Sequence, residues 1–176
     1  MQRLKLFLPL LIFVVLAGFL WRGLSLDPSH LPSALIDKPV PSFTLDQLTN
    51  GDEKSAQITE KDLLGEPYLL NIWATWCPTC RIEHPFFNKL AQQGVRIVGL
   101  NYKDEDQAAR EWLEHFGNPY QVIIADRHGT LGLDLGVYGA PETFLVDKNG
   151  VIRYKHVGVV DERVWRSKIA PLYNQP

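Results

Sequence analysis

The chain has 176 residues, 45% of them hydrophobic and 22% charged, with 13 glycines and 12 prolines. A chain of this length folds as about one domain, and its composition excludes a disordered or collagen-like protein. The formal net charge is −2 and the basic residues are dispersed, so we expect no nucleic acid partner.

The N-terminal residues are more apolar than the rest of the chain. Arg3 and Lys5 precede an unbroken run of 16 apolar or small residues, Leu6–Trp21, which ends at Arg22. As a helix this run would rise roughly 24 Å, a little less than the roughly 30 Å of a bilayer core. It can still span, because an arginine can extend its charged end to the interface. We predict that residues 1–25 form one transmembrane helix, the N-terminal membrane anchor.

The charge pattern predicts which side of the membrane the rest of the chain occupies. After Arg22 the next basic residue is Lys38, so the basic residues mark the N-terminal side as cytoplasmic. A cleaved signal peptide is the alternative, although no cleavage site of small residues follows the apolar run. Residues 26–39 are rich in proline and suit an extended linker, and residues 40–176 form the folded domain.

In the folded domain the spacing of hydrophobic residues predicts strands that alternate with helices. The predicted strands, in chain order, are 43–48, Tyr68–Ala74, Val95–Leu100, Gln121–Ala125, Thr143–Val146 and Val151–His156. The predicted helices are Pro78–Gln93, Asp104–Phe116 and Glu162–Leu172, and residues 49–59 are predicted to form a loop or irregular hairpin. Strands joined by helices pair in parallel, whereas Asn149-Gly150 is typical of an antiparallel hairpin. The predicted fold class is α/β, a mixed β-sheet covered by helices.

The only two cysteines, Cys77 and Cys80, lie where a buried strand turns into a helix. A helix N-terminus carries unpaired N–H groups and a partial positive charge, which favour a thiolate at Cys77. The first thiol of a Cys-x-x-Cys pair at such a site can have its pKa lowered from about 8.5 to about 7 or below. We therefore predict thiol–disulfide exchange. Cys77, open to solvent, attacks a disulfide of another protein, and Cys80 then attacks the Cys77 sulfur and releases the reduced substrate.

Other interpretations of the cysteine pair stay open at this point. The pair can be a static structural disulfide. It can also be part of a zinc site, but only His84 is near it in sequence, and such a site normally has four ligands. It does not match a haem attachment site, because the residue after Cys80 is Arg81 and not histidine.

Two segments resemble the thioredoxin superfamily. Trp73–Cys80, with the sequence WATWCPTC, resembles its active-site motif, and Gly136–Phe144, with the sequence GVYGAPETF, resembles the cis-proline loop of its membrane-anchored periplasmic branch. Together they make the chain similar to the thiol:disulfide interchange proteins of cytochrome c maturation, the CcmG/DsbE family. The resemblance covers the anchor and residues from about Pro39 to Leu172. It implies a thioredoxin-like mixed β-sheet with helices on both faces, preceded by one N-terminal transmembrane helix.

The resemblance also implies roles for the residues of the first motif. Cys77 is the attacking thiol and Cys80 the resolving thiol, and the redox-active disulfide that they form is the only redox group, with no cofactor or metal. Trp76, Pro78 and Thr79 support the active site. Pro78 suits the first helical turn, because its nitrogen has no hydrogen to donate.

The second motif is expected to bind the substrate. Pro141 should have a cis peptide bond and pack against the cysteines. This would turn the backbone of Ala140 outward, so that an extended substrate segment can pair with it as an added strand. Tyr138 is a candidate for an aromatic wall of this groove, although ordinary packing explains it equally well.

Two acidic residues, Glu83 and Glu142, are expected near the thiols. Negative charge raises a thiol pKa and destabilises the thiolate, which makes the cysteine pair more reducing. A solvated position on an exposed surface is the alternative for both residues. Thioredoxin has a buried aspartate two residues before the tryptophan that matches Trp73, but this chain has Asn71, so a carboxylate assisting Cys80 must come from elsewhere. Glu83 is the candidate.

The resulting functional hypothesis is a disulfide reductase of the inner membrane, single-pass, with its soluble domain in the periplasm. The family implies that it keeps the haem-binding cysteines of apocytochrome c reduced, directly or through a maturation thiol protein, and that a membrane-embedded electron donor recharges it. The alternatives are a general periplasmic disulfide oxidase and a membrane-tethered metal-binding chaperone that uses the two cysteines and a histidine.

Overall fold

Strand β3, Tyr68–Trp73, lies inside the sheet, and all six of its side chains are buried. The computed structural model of the chain describes residues 2–24, 34–49 and 56–174. In chain order the strands are β1 (Thr44–Gln47), β2 (Gln57–Thr59), β3 (Tyr68–Trp73), β4 (Ile97–Tyr102), β5 (Val122–Asp126), β6 (Glu142–Val146) and β7 (Ile152–Val157). The helices are α1 (Gln2–Leu24), α2 (Pro78–Gln92), α3 (Asp106–Phe116), α4 (Thr130–Asp134), α5 (Glu162–Val164) and α6 (Ala170–Tyr173). A 3₁₀ turn lies at Glu60–Leu63, and a π turn at Trp165–Ile169 joins α5 to α6.

The strands form one mixed sheet in the order β2-β1-β5-β4-β3-β6-β7. Strands β3, β4 and β5 are parallel, because α2 and α3 carry the chain back between them. The other pairings are antiparallel. The predicted mixed α/β sheet is therefore confirmed. Strand β2 lies within segment 49–59, the predicted irregular hairpin, of which residues 50–55 lie outside the described residues. The C-terminal ends of β3 and β4 lie at the same end of the sheet, and α2 and α3 begin there.

The sheet separates two hydrophobic cores, because successive strand side chains point to opposite faces. Leu69 of β3 belongs to the core that contains Phe87 of α2, together with residues of α3 and the C-terminal helices. Leu70 belongs to the other core, which contains Leu131 of α4. Helices therefore cover both faces of the sheet. Asn71 is the one polar residue of β3, and it faces the α2 side.

The helix boundaries differ from the predictions for local reasons. Helix α2 ends at Gln92, where Gly94 with φ of +85° takes a left-handed conformation. Helix α3 begins at Asp106, later than predicted, because the side chain of Asp104 binds the neighbouring loop. The C-terminal helix, predicted to be continuous, contains the π turn.

The predicted hairpin at Asn149-Gly150 is confirmed, but its turn is longer than two residues. The Asp147 carbonyl accepts a 3.0 Å hydrogen bond from the Gly150 amide. The Asp147 carboxylate accepts bonds from the amides of Asn149 (2.9 Å) and Val151 (3.0 Å). Helix α4 was not predicted, because one and a half turns are too few for helical periodicity to be recognised.

The folded unit begins earlier than the sequence analysis placed it. Residues 34–39 were assigned to the linker, yet the Asp37 amide donates a 2.8 Å hydrogen bond to the carbonyl of Ile152. The folded unit therefore extends upstream of Val40. Residues 26–33, the rest of the predicted linker, lie outside the described residues.

Helix α1 belongs to a separate unit of the chain. Its large apolar side chains from Phe7 to Trp21 are exposed, Phe19 by 77% and Trp21 by 79%. Across the described residues, no helix has both the length and the apolarity that crossing a membrane requires.

Candidate active site

The two cysteines form a disulfide at the N-terminus of α2. Cys77 is the N-cap residue, and its sulfur accepts a 3.0 Å hydrogen bond from the amide of Cys80. Pro78 occupies the first turn, as the sequence predicts. The Cys80 amide and the helix dipole are therefore in place to stabilise a Cys77 thiolate once the disulfide opens.

The disulfide is less open than the sequence analysis expects. Cys77 is only 4% exposed and Cys80 only 2%. The residues around Cys77 are exposed, however: Trp76 by 52%, and both Pro78 and Thr79. A substrate sulfur must therefore approach Cys77 through this rim of exposed residues.

The loop that leads into Cys77 is held by the loop after β4. The Asp104 carboxylate accepts hydrogen bonds from the Thr75 amide (2.6 Å) and the Thr75 hydroxyl (2.7 Å). It also accepts a 2.9 Å bond from the Asn101 side chain. The indole N–H of Trp76 donates to the Lys103 carbonyl at 3.0 Å. Sequence reasoning assigned Asp104 to a helix and missed this function, although a polar residue directly after a buried strand was a usable signal.

Below the disulfide, a buried polar network centres on Asn71. Its amide N–H₂ donates to Glu83 (2.9 Å) and to the Thr143 hydroxyl (3.1 Å), and its carbonyl accepts from the Tyr120 hydroxyl (2.9 Å). The other Glu83 oxygen accepts a 3.0 Å bond from the Val160 amide. The Asn71 side chain therefore makes three hydrogen bonds inside the core.

Glu83 is a buried acid without a cation beside it among the described residues. Burial raises the pKa of Glu83 to about 8, even though its bonds from the Val160 amide and Asn71 act in the opposite direction. Since Glu83 follows Cys80 by three residues in α2, the two side chains share one helix face. The alternative of a solvated Glu83 is thereby removed, and the carboxyl is mostly protonated at neutral pH.

His84, the histidine nearest the cysteines in sequence, is held by contacts with other parts of the protein. The Nε2 atom of His84 lies 2.8 Å from the Gly117 carbonyl, and the imidazole packs edge-on against Trp112. Burial lowers the pKa of His84, so the ring is neutral near pH 7. No group of three His, Cys, Asp or Glu side chains within residues 2–24, 34–49 and 56–174 is arranged to hold a metal ion.

The cis-proline loop has the cis peptide bond that the resemblance implies, whereas the packing of Pro141 against the cysteines stays a prediction. The Ala140–Pro141 peptide bond is cis, Pro141 is buried and Ala140 is partly buried. The ring of Tyr138 is 70% exposed, so it belongs to the surface of this loop and not to the core.

Glu142 takes a different position from the one that its proposed effect on the thiols requires. Thr143 points towards Asn71, so the neighbouring Glu142 side chain points to the opposite face of the sheet. There it is buried and pairs with Lys155 at 2.9 Å. The predicted effect of Glu142 on the thiol pKa depended on its negative charge. The Lys155 ammonium balances that charge.

Comparisons with known proteins agree with this geometry. The Redoxin family model matches residues 36–171. The thiol:disulfide interchange protein DsbE of Pseudomonas aeruginosa is 58% identical over 175 residues, which covers 99% of this chain and 96% of that protein. The chain belongs to the DsbE family of thiol:disulfide interchange proteins. The DsbE of Escherichia coli is 52% identical over 182 residues, covering 99% of this chain and 96% of that protein.

The fold also matches a solved structure. A secreted thiol-disulfide isomerase from Corynebacterium glutamicum superposes with a TM-score of 0.67 at 22% identity, covering 85% of this chain and 96% of that one. This DsbE-family protein is thus a thiol–disulfide oxidoreductase with a thioredoxin-like fold, and its redox centre is the Cys77–Cys80 pair.

Replacing Asp104 by alanine is expected to loosen the loop before Cys77. The substitution removes the acceptor of the two Thr75 hydrogen bonds, so we expect a loss of about 1 to 3 kcal/mol in the free energy of unfolding. Urea unfolding measures this loss. Glu105→Ala is the matched control, because the side chain of Glu105 makes no capping hydrogen bond. Equal stability of the two variants would contradict the role of Asp104.

Replacing Glu83 by glutamine is expected to change how stability depends on pH. The folded-state pKa of Glu83, about 8, lies above the 4.5 of an ordinary glutamate, so between these pH values the folded protein binds more protons than the unfolded chain. The free energy of unfolding of the wild type should therefore fall between about pH 5 and pH 8, by up to about 1.4 kcal/mol per pH unit.

The Glu83→Gln variant lacks this titration, so the stability difference between the two proteins should shift in favour of the variant as the pH rises. Urea unfolding at pH 5, 7 and 9 tests this. Glu162→Gln changes an exposed carboxylate paired with Lys89 and should keep the wild-type pH profile. Parallel profiles of wild type and Glu83→Gln would rule out a buried titrating acid.

Proposed function

We propose that this protein is a periplasmic disulfide reductase of c-type cytochrome biogenesis, tethered to the inner membrane by its N-terminal helix. The observation that carries the proposal is the Cys77–Cys80 disulfide at the N-terminus of α2, with the Cys80 amide bound to the Cys77 sulfur. The relatives named DsbE, more than half identical over nearly the whole chain, supply the biological setting.

The reaction starts from the dithiol form of the protein. The Cys77 thiolate attacks one sulfur of the substrate disulfide, a mixed disulfide forms, and the departing substrate sulfur takes up a proton. The Cys80 thiol then gives up its proton and attacks the Cys77 sulfur, which re-forms the disulfide and releases the second substrate thiol. The substrate gains two electrons and two protons, and the protein loses them. A membrane-embedded dithiol protein must return them.

Glu83 is suited to the proton transfer of the second step. With a pKa of about 8 it can both donate and accept a proton near neutral pH, and it shares a helix face with Cys80. Its other contacts, to Asn71 and the Val160 amide, keep the carboxyl in place. The role that the sequence analysis assigned to this residue is retained in the proposal.

The surroundings of the thiols favour the reducing direction. Both cysteines are at least 96% buried, and burial in apolar surroundings raises a thiol pKa. Above about pH 8, where Glu83 is ionised, its negative charge disfavours a thiolate as well. These effects oppose the stabilisation of the thiolate by the Cys80 amide and so destabilise the dithiol form, which is expected to make the pair a good electron donor.

Support for the membrane tether comes from the N-terminal sequence and from α1. The basic residues Arg3 and Lys5 precede the apolar run, and Arg22 ends it. The large apolar side chains of α1 are exposed, and an apolar surface of this extent needs a lipid or protein cover. The basic N-terminal side would face the cytoplasm, which leaves Cys77 and Cys80 in the periplasm.

The proposed substrate is oxidised apocytochrome c or a maturation thiol protein that exchanges disulfides with it. The haem attachment motif Cys-x-x-Cys-His contains two closely spaced cysteines, which can form a disulfide that blocks haem attachment. A reductase in the same compartment would reopen it.

The equilibrium of the purified protein with glutathione tests the direction of the reaction. We expect a reduction potential well below about −180 mV, whereas a general oxidase would lie near −120 mV. Above about pH 8, where Glu83 is ionised, Glu83→Gln should make the potential less negative, by about 30 mV for each tenfold change in the equilibrium constant. The reduction potentials of both proteins are measured by equilibrating each with defined ratios of reduced to oxidised glutathione and alkylating the free thiols. A wild-type potential near that of an oxidase would refute the reductase.

Covalent trapping in cells tests the substrate and the location together. In the full-length Cys80→Ala variant the mixed disulfide on Cys77 cannot be resolved, so an adduct with apocytochrome c or a maturation thiol protein should accumulate. The adduct should disappear with dithiothreitol and remain in the membrane pellet after alkaline extraction. The Cys77→Ala, Cys80→Ala double variant is the control and should form none. An adduct found only in the cytoplasmic fraction would contradict the proposed location, and adducts only with unrelated proteins would contradict the substrate.

A further inference from the structure

A buried ion pair lies behind the cis-proline loop. The Lys155 ammonium is 2.9 Å from the Glu142 carboxylate, and the two side chains are 3% and 1% exposed. Lys155 of β7 lies opposite Phe144 of β6, and its ammonium stands 5.2 Å from the centre of the Phe144 ring. Burying two charges costs desolvation free energy unless both make good hydrogen bonds. The other contacts of this pair therefore indicate its role.

Those remaining contacts all go to the loop that precedes Pro141. The Lys155 ammonium donates a 2.7 Å hydrogen bond to the Gly136 carbonyl and lies 4.6 Å from the centre of the Tyr138 ring. The Glu142 carboxylate accepts bonds from the amides of Tyr138 (2.7 Å) and Gly139 (3.2 Å). The pair thus binds three of the five residues from 136 to 140.

Ala140 packs against both hydrophobic cores, but Tyr138 and Gly139 have few restraints besides the pair. Gly139 has no atom within 4 Å of the position that a β-carbon would occupy, and the Tyr138 ring is largely exposed. The conformation of Tyr138 and Gly139 therefore depends strongly on the pair. An extended substrate is expected to pair with the backbone of the adjoining Ala140.

The pair is separated from the thiols by the sheet. The polar network of Asn71, Glu83 and Thr143 lies on the α2 face, whereas Glu142 and Lys155 lie on the opposite face. A change at Lys155 can therefore alter the loop without changing the charges around Cys77 and Cys80.

We propose that Lys155 is a positioning residue for disulfide exchange: with Glu142 it holds residues 136–140 in the conformation that receives a substrate polypeptide. Lys155 does not touch the reacting sulfurs. Its effect passes through the loop. Lys155 therefore affects the reaction with polypeptide substrates and does not change the reduction potential of the disulfide. The inference rests on the proposed function, which places the substrate at Tyr138 and Ala140.

The test compares four full-length variants with the wild type. Lys155→Met removes the cation and leaves Glu142 unpaired. The double variant Lys155→Met, Glu142→Gln removes both charges and so avoids a buried unpaired carboxylate. Lys155→Arg keeps the charge. Arg153→Met is the matched control, because Arg153 is also a cation of β7 paired with a carboxylate, Asp147, but it is far more exposed and does not contact the loop.

Each reduced protein is reacted with an oxidised apocytochrome c segment and, separately, with glutathione disulfide, and its reduction potential is measured. For both variants that carry Lys155→Met we expect the second-order rate constant to fall about tenfold with the apocytochrome segment and by less than about threefold with glutathione disulfide. A displaced binding segment slows the reaction with a polypeptide without changing the attacking thiol. The potential should stay that of the wild type. Lys155→Arg should restore most of the lost rate, and Arg153→Met should behave as the wild type.

The outcomes separate this inference from the proposed function. If the wild type does not reduce the apocytochrome segment, the proposed substrate is wrong. If the wild type reduces it and the double variant does so equally well, the pair does not position the loop and the inference is overturned. Equal losses with both substrates, or a shifted potential, would mean a general disturbance of the active site and would also overturn it.

Discussion

The hydrogen bond from the Cys80 amide to the Cys77 sulfur is the contact on which the chemistry of this protein depends. It exists because α2 begins at Pro78, which makes Cys80 the third helical residue, and the amide at that position points back at the N-cap residue. The same amide is available to a thiolate when the disulfide opens. Everything else at the site either holds this helix terminus in place or controls access to it.

Two neighbouring loops keep the helix terminus at the edge of the sheet. The parallel strands β3 and β4 end side by side, which brings Thr75 and Trp76 next to Lys103 and Asp104. On the other side of β3, strand β6 begins directly after the cis-proline. The motif and the proline loop, separated by more than 50 residues in sequence, lie at the same end of the sheet because β3 pairs antiparallel with β6.

Two buried carboxylates have different roles because of what lies beside each of them. Glu83 accepts hydrogen bonds from neutral groups only, so burial dominates and its pKa rises to about 8. Glu142 has Lys155 beside it and uses its remaining capacity to bind loop amides. An acid near the thiols is thereby able to exchange a proton, whereas the acid beside the cis-proline organises a loop.

Much of this protein followed from the sequence alone, because local patterns decide local structure. Three local patterns each predict their structure within a few residues: the apolar run of β3, the Cys-Pro-Thr-Cys motif at a strand-to-helix junction and the Asn149-Gly150 turn. Together they predicted the α/β fold and the exchange chemistry. The tertiary structure alone decided the contacts of Asp104, Lys155 and Glu142, because each binds a residue distant in sequence, on the adjacent loop or strand. It also decided that Glu83 is buried. Whether a helical residue is buried depends on which elements pack against its face of the helix, and the sequence near Glu83 does not determine this.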